Sequence, residues 1–281
     1  MRALFALLTA ATVLIPAGHA LGAGNPESVE ISQAAGGHLK AMLFRPEGQG
    51  PFPAIVALHN CTGLTNRSGV LGSRYRDWGE RLSKSGFVVL LPDSNGSRNI
   101  GNQCGVRARS LRNDRERVAD ADAARAWLQT QSWVTPDRIS LMGWSSGAIA
   151  ALWAVRVRTQ VQAKEGGPDF RSAAALYPGC RRLSNAAWSA RVPTLILIGR
   201  ADDQSSAATC QQMVAGARGR SARVEIHVYP NAHHDFDHPN RPLQTRTGLA
   251  FSVDGTGHVH SGTNPAARND ALKRVPAWFE Q

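Results

Sequence analysis

No Cys-x-x-Cys pair occurs among the four cysteines of this 281-residue chain. That argues against a zinc knuckle and against a thioredoxin-type redox motif. No stretch repeats at a fixed period, which excludes a solenoid or propeller array. Beyond residue 15, no apolar run approaches the roughly 20 residues that cross a bilayer. Acidic residues are few, 21 Asp and Glu against 32 Lys and Arg, for a formal net charge of +11. No recognised nucleic-acid module accompanies that charge, so no nucleic-acid partner is expected. A basic surface built mostly from arginine, such as Arg107, Arg109, Arg112, Arg115 and Arg117, speaks to solubility and to steering of anionic partners.

The N-terminus reads Met1-Arg2, an apolar run from Ala3 to Ile15, then Pro16-Ala17-Gly18-His19-Ala20. One positive charge, a short apolar core and small residues before a cut make a signal peptide. Cleavage is expected after Ala20, with Ala23 as the alternative. Residues 1–20 are then the signal and residues 21–281 a single exported domain, periplasmic or extracellular, without a membrane span. An even number of cysteines in an exported chain suggests two disulfides among Cys61, Cys104, Cys180 and Cys210. Spacing alone does not choose among the three pairings.

Along the rest of the chain, apolar runs alternate with helical segments. Val29–Ser32, His38–Phe44, Pro53–His59, Phe87–Pro92, Ile139–Trp144, Ala173–Tyr177, Thr194–Ile198 and Val224–Tyr229 read as strands. Helices are expected over Tyr75–Ser85, Asp114–Gln129, Ser146 towards Val157, Ser206–Ala217 and Asn269–Phe279. In the second of these, Val118, Ala121, Ala124 and Leu128 fall on one face. Doubly apolar strands alternating with helices imply an α/β fold: a mostly parallel central sheet with helices on both faces. Sites in such sheets lie at the carboxyl ends of the strands. Residues 159–171 and 238–264 lack periodicity and are expected to shape a pocket. Trp144, Trp153, Trp188 and Trp278 are read as core before pocket.

One motif carries chemistry. Gly143-Trp144-Ser145-Ser146-Gly147 matches G-x-S-x-G, with an apolar strand running in and an Ala-rich helix leaving. The sharp turn lifts the Ser145 hydroxyl clear of the sheet and aims a helix N-terminus at developing negative charge. A nucleophilic serine needs a base, and the base an orienting acid, in the chain order serine, acid, histidine. The strand at 194–198 runs into Asp202 and Asp203; Asp202 is the first choice for the acid. The strand at 224–229 runs into His233 and His234; His234 is the first choice for the base. The backbone N–H groups of Ser146 and Cys61 are the candidate oxyanion donors. The Cys61 thiol itself is read as a disulfide partner, not a nucleophile. No cofactor or metal is expected. His233, His234, Asp235, Asp237 and His238, with His258 and His260 further on, form an alternative ligand-like cluster, but their spacing fits no specific zinc pattern.

The stretches LHNCTG at 58–63, LPDSNGSR at 91–98, GWSSG at 143–147, LYPGC at 176–180, IGRADD at 198–203 and YPNAHHDF at 229–236 together resemble the dienelactone hydrolase family of α/β hydrolases, especially its exported members. The resemblance covers roughly residues 30 to 280. It implies the α/β-hydrolase fold and carries the nucleophile onto Ser145, the acid onto Asp202, the histidine onto His234 and the first oxyanion donor onto Cys61. It also implies the pairings Cys61–Cys104 and Cys180–Cys210. The best-known members use a cysteine nucleophile and place a glutamate where this chain has Asn60. The arginine they place four residues after the histidine is replaced by His238, with Arg241 a little further on. The expected activity is therefore general: hydrolysis of small-molecule or polymeric carboxylic esters, with amides as the alternative bond, by a serine nucleophile; in a sharper variant the substrate is an acidic or polyanionic polymer.

Overall fold

The computed structural model describes residues 26–33, 36–157 and 167–281. The expected signal peptide and most of the Gly-rich insertion therefore lie outside the described residues. Strands β1 (Glu27–Ser32), β2 (His38–Phe44), β3 (Phe52–Leu58), β4 (Val88–Pro92), β5 (Val134–Trp144), β6 (Ala173–Leu176), β7 (Thr194–Gly199) and β8 (Val224–Tyr229) form one sheet. Its order is β1-β2-β4-β3-β5-β6-β7-β8. The β1–β2 and β2–β4 pairs are antiparallel, and every pair from β4 to β8 is parallel. Strands β4, β6 and β7 are buried at every position, which is why they read as unbroken apolar runs.

Helices α1 (Ser73–Lys84), α2 (Glu116–Gln129), α3 (Ser146–Ala154), α4 (Arg181–Asn185), α5 (Ala207–Gly216) and α6 (Pro265–Glu280) cover the sheet. The step from β3 to β4 runs in the opposite sense to the steps from β4 through β8. Right-handed crossovers then put α1 on the face opposite α2–α5. Helix α6 joins α1: the Arg268 guanidinium donates to Asp77 on α1 at 2.8 Å, and Phe279 packs edge-on against Phe87. The expected α/β-hydrolase architecture is what the chain adopts. No helix among the described residues is long and apolar enough to cross a membrane.

Differences from the sequence-based expectation are local. Strand β5 begins at Val134, five residues early, and α3 stops at Ala154. The segment 238–264, expected to lack regular structure, contains a two-stranded antiparallel ribbon of β9 (Gln244–Arg246) and β10 (Val259–Ser261). Trp144, Trp188 and Trp278 are buried in the core, while Trp153 is partly exposed beneath Arg156. Two disulfides join Cys61 to Cys104 and Cys180 to Cys210, the pairings that the resemblance implies.

Candidate active site

Ser145 stands between β5 and α3 with φ 52° and ψ −113°. That left-handed backbone is strained for a serine and persists only where its surroundings impose it. The imposing contact is visible in the two flanking glycines. A Cβ on Gly143 would lie 2.4 Å from the Gly147 carbonyl carbon, and one on Gly147 would lie 2.0 Å from the Leu58 oxygen. Helix α3 can leave the turn this close to β3 only without side chains there.

The loops after β7 and β8 are zipped together at the same sheet edge. The Arg200 N–H donates to the Tyr229 carbonyl at 2.8 Å and the Ala201 N–H to the Ala232 carbonyl at 3.1 Å. This docking brings the His234 imidazole between Ser145 and Asp202. His234 Nε2 lies 3.0 Å from Ser145 Oγ, and Nδ1 lies 2.8 Å from Asp202 Oδ2. The other Asp202 oxygen accepts the N–H groups of Gln204 at 3.0 Å and Ser205 at 2.8 Å, which fixes the carboxylate's plane. Asp203, the alternative acid, instead faces His260, with Oδ2 2.7 Å from Nδ1. His233, the alternative base, packs its ring against His260 at 5.5 Å.

Burial works against a charged His234, yet attraction and hydrogen bonding from Asp202 outweigh it and raise its pKa above the ordinary histidine value. Tyr177, itself at φ 43°, packs its ring edge-on to the imidazole with centroids 4.6 Å apart.

The loop carrying Cys61 is held from three sides. Asn60 Oδ1 accepts the Thr62 N–H at 3.0 Å and the Tyr75 hydroxyl at 3.0 Å, while the Asn60 N–H donates to the same Tyr75 oxygen at 3.0 Å. The Cys61 carbonyl accepts the Gln103 N–H at 2.8 Å, next to the disulfide with Cys104. Among the described residues no hydrogen bond claims the N–H of Cys61 or of Ser146.

Four charged groups, Arg117, Arg74, Asp235 and Asp237, do work that the sequence did not reveal. Arg117, counted above with the surface arginines, is buried beneath the turn. Its guanidinium donates to the His59 carbonyl at 2.7 Å and reaches Ser146 Oγ at 3.3 Å. Burial lowers its pKa to about 10. Arg74 is also buried and binds Asp235 at 2.5 Å, with Arg241 on the other Asp235 oxygen. Burial opposes the Asp235 charge, but these guanidiniums hold its pKa well below the carboxylate range. Asp237, with no exposed surface, accepts the indole N–H groups of Trp78 at 2.7 Å and Trp144 at 2.8 Å and the Tyr177 hydroxyl at 2.6 Å.

The ligand-like run from 233 to 238 is thereby dispersed. His234 meets Ser145, Asp235 and Asp237 face inward, and His238 approaches Ser73 Oγ at 3.2 Å. The pKa of His238 falls to about 4 through burial and through Arg74 and Arg241. Among the described residues a different set of possible ligands converges: Asp203, His233 and His260.

The family model for the dienelactone hydrolase family matches residues 39–281. A Methylorubrum extorquens protein named "Putative carboxymethylenebutenolidase" is 27% identical over 255 residues, 87% of this chain and 77% of that protein. Among solved structures, esterase 2 of Thermogutta terrifontis phosphorylated by paraoxon superposes with a TM-score of 0.61 at 19% identity. The match covers 80% of this chain and 90% of that one. A dienelactone hydrolase-like promiscuous phosphotriesterase from metagenomic libraries superposes with a TM-score of 0.62 at 19% identity, covering 92% of this chain and 98% of the other. At these identities the superpositions speak to the fold.

Proposed function

The chain belongs to the dienelactone hydrolase family, and we propose that it is an exported serine hydrolase that cleaves carboxylic esters through an acyl-enzyme. The single observation that carries this reading is the relay from Ser145 Oγ through His234 to Asp202, with both hydrogen bonds at 3.0 Å or less.

In the neutral state His234 Nε2 accepts the Ser145 hydroxyl proton, and Nδ1–H donates to Asp202. Ser145 Oγ attacks the ester carbonyl as its proton passes to Nε2. The tetrahedral oxyanion forms against the N–H groups of Cys61 and Ser146, at the N-terminus of α3. The imidazolium, stabilised by Asp202, gives its proton to the leaving alkoxide. Water then attacks the acyl carbon as it gives a proton to His234, and the acyl–Oγ bond breaks as His234 returns that proton to Ser145 Oγ, releasing the acid. Cys61 takes part only through its main chain, since its sulfur is bonded to Cys104. The two disulfides support an oxidising compartment and so support export.

The test is a side-by-side assay of wild type and Ser145→Ala on a small p-nitrophenyl ester and matched amides. Loss of roughly 10⁴-fold or more in kcat is expected. Full activity in Ser145→Ala would sink the proposal.

An anionic substrate is favoured by the formal charge, +11 for the whole chain of which Arg2 in the expected signal supplies one, and by where arginines gather. The Arg107 and Arg109 guanidiniums sit over the exposed Phe251 ring, at 6.0 and 5.3 Å. The Phe251 loop is tied to the oxyanion loop's disulfide partner, Ala250 N–H donating to the Cys104 carbonyl at 2.9 Å. Steering by such charge should weaken as salt rises. An equal kcat/KM for anionic and neutral esters at low and high salt would remove this refinement while leaving the esterase itself intact.

A further inference from the structure

We propose that Asp203, His233 and His260 form a binding site for one divalent transition-metal ion of the zinc class, beside the candidate triad and separate from it. This inference does not depend on the esterase reading.

One ligand atom from each of the three residues lies within 4.8 Å of the other two. Two imidazoles and a carboxylate are the donor set that zinc and its neighbours in the first transition row prefer. Metal-to-ligand distances near 2.0–2.1 Å put the donors of a tetrahedral shell roughly 3.3 Å apart. Here Asp203 Oδ2 and His260 Nδ1 stand at 2.7 Å. Closing the shell therefore takes rotamer-scale movement, in which that pair opens by about half an ångström. Three protein donors leave a fourth position for water.

Two further observations favour a ligand. His233 Nδ1 is buried and has no hydrogen-bond partner among the described residues. An imidazole nitrogen left unpaired in the interior costs free energy, which a metal or a proton-sharing partner would recover. The site is also reachable, because the His260 and Asp203 side chains are 49% and 36% exposed.

The three residues come from three segments that the rest of the fold has already aligned. Asp203 follows Asp202 on the loop after β7, His233 precedes His234 on the loop after β8, and His260 lies in β10. The Asp203 carboxylate accepts the His260 N–H at 2.8 Å, and the Asp203 carbonyl accepts the Val253 N–H at 2.7 Å. Ser261 bridges to His234, and the Gly262 N–H donates to the His234 carbonyl at 3.0 Å. A cation here would cross-link the acid loop, the histidine loop and the ribbon, and so clamp the frame of the triad without touching its side chains.

The experiment titrates the chelator-treated full chain with Zn²⁺ by calorimetry and with Co²⁺ by visible absorption, and records Tm with and without zinc. The expected result is one ion per chain, tetrahedral-type cobalt absorption and a zinc-dependent rise in Tm. Loss of an outer-shell partner alone costs roughly 10–100-fold in metal affinity, so His260→Ala and His233→Ala should each lose at least that. His258→Ala, two residues along the same loop, should bind as wild type does. His260→Ala alters an exposed side chain and serves if His233→Ala fails to fold. A chain that takes up no zinc overturns the proposal. So does zinc binding that survives His260→Ala unchanged, or that His258→Ala weakens equally.

Discussion

The Tyr75 hydroxyl and Asn60 are joined twice, the hydroxyl accepting the Asn60 N–H and donating to Asn60 Oδ1, each at 3.0 Å. Tyr75 in turn packs edge-on against Trp144, the residue before the proposed nucleophile, with ring centroids 5.3 Å apart. The proposed oxyanion loop and the serine turn are thus referenced to one side chain. Tyr75→Phe leaves the buried Asn60 N–H without its partner, while Asn60 Oδ1 keeps Thr62, at a cost of about 1–3 kcal/mol. The Cys61 N–H loses its fixed aim at the same time. Urea unfolding should show that loss, and steady-state assays should show a fall in kcat with KM nearly unchanged. A drop in KM-dependent binding with normal kcat would place Tyr75 in substrate contact instead.

Arg74 supplies, with Arg241, the counter-charge for the buried Asp235. Arg74→Met should destabilise the fold by about 3–5 kcal/mol, since it removes one of the two guanidiniums on buried Asp235 and the one beside buried Asp237. The same pairing sets a pH dependence. The folded pKa of Asp235 lies below its unfolded value near 3.9, so its stabilisation is complete above that value. It is lost as pH falls from there towards the folded pKa. Urea midpoints of wild type against pH should decline in that acidic window, and Arg74→Met should flatten the decline. Parallel curves for the two proteins would contradict the assignment.

Burial and buried charge mark the boundary of what the chain's letters convey. Strands β4, β6 and β7 were legible because sheet strands covered on both faces must be apolar throughout. Ser145 was legible because the strained turn demands glycine on both sides, and Asp202 and His234 because they lie on the loops that follow consecutive strands. The ribbon was not, because Gln244-Thr245-Arg246 and Val259-His260-Ser261 are too short to show alternation. Helix α4 is five residues long and offers no period either. Arg117 looked like one more surface arginine. Yet it lies four residues before Ala121 and seven before Ala124, on the stripe that faces the sheet, and that register was a readable sign of burial. Nothing comparable marked Asp235 or Asp237, whose partners Arg74 and Trp78 are more than 150 positions away.

The activity's acid limb should report His234. Its imidazole must be neutral to accept the serine proton, so rate is lost as pH falls through its pKa. That pKa is raised, chiefly against burial by Asp202, so the limb should lie above the pH at which an ordinary histidine titrates. Asp202→Asn removes both the charge and the correct tautomer. It should shift the limb to lower pH and cut kcat by roughly 10⁴-fold. A pH–kcat/KM series on both proteins checks this, and an unmoved limb in Asp202→Asn would assign it to another group.

The two disulfides allow stability and chemistry to be separated. They close segments of 43 and 30 residues, so a chain-entropy estimate gives each about 4 kcal/mol, nearly equal because the dependence on length is logarithmic. Their surroundings differ. Cys180–Cys210 ties the start of α4 to α5 and carries none of the proposed catalytic or oxyanion groups, whereas Cys61–Cys104 anchors the loop whose N–H is the proposed oxyanion donor. Paired Cys180→Ala and Cys210→Ala should lower stability by about that amount and leave kcat near wild type while the protein stays folded. Paired Cys61→Ser and Cys104→Ser should cost similar stability and also lower kcat. Serine at 61 keeps the amide, so any loss there comes from its aim and not from its removal. With matched stability costs, a difference in kcat between the two double variants isolates the oxyanion loop. Equal kcat in both would mean that Asn60 and Tyr75 hold that loop without the sulfur bridge.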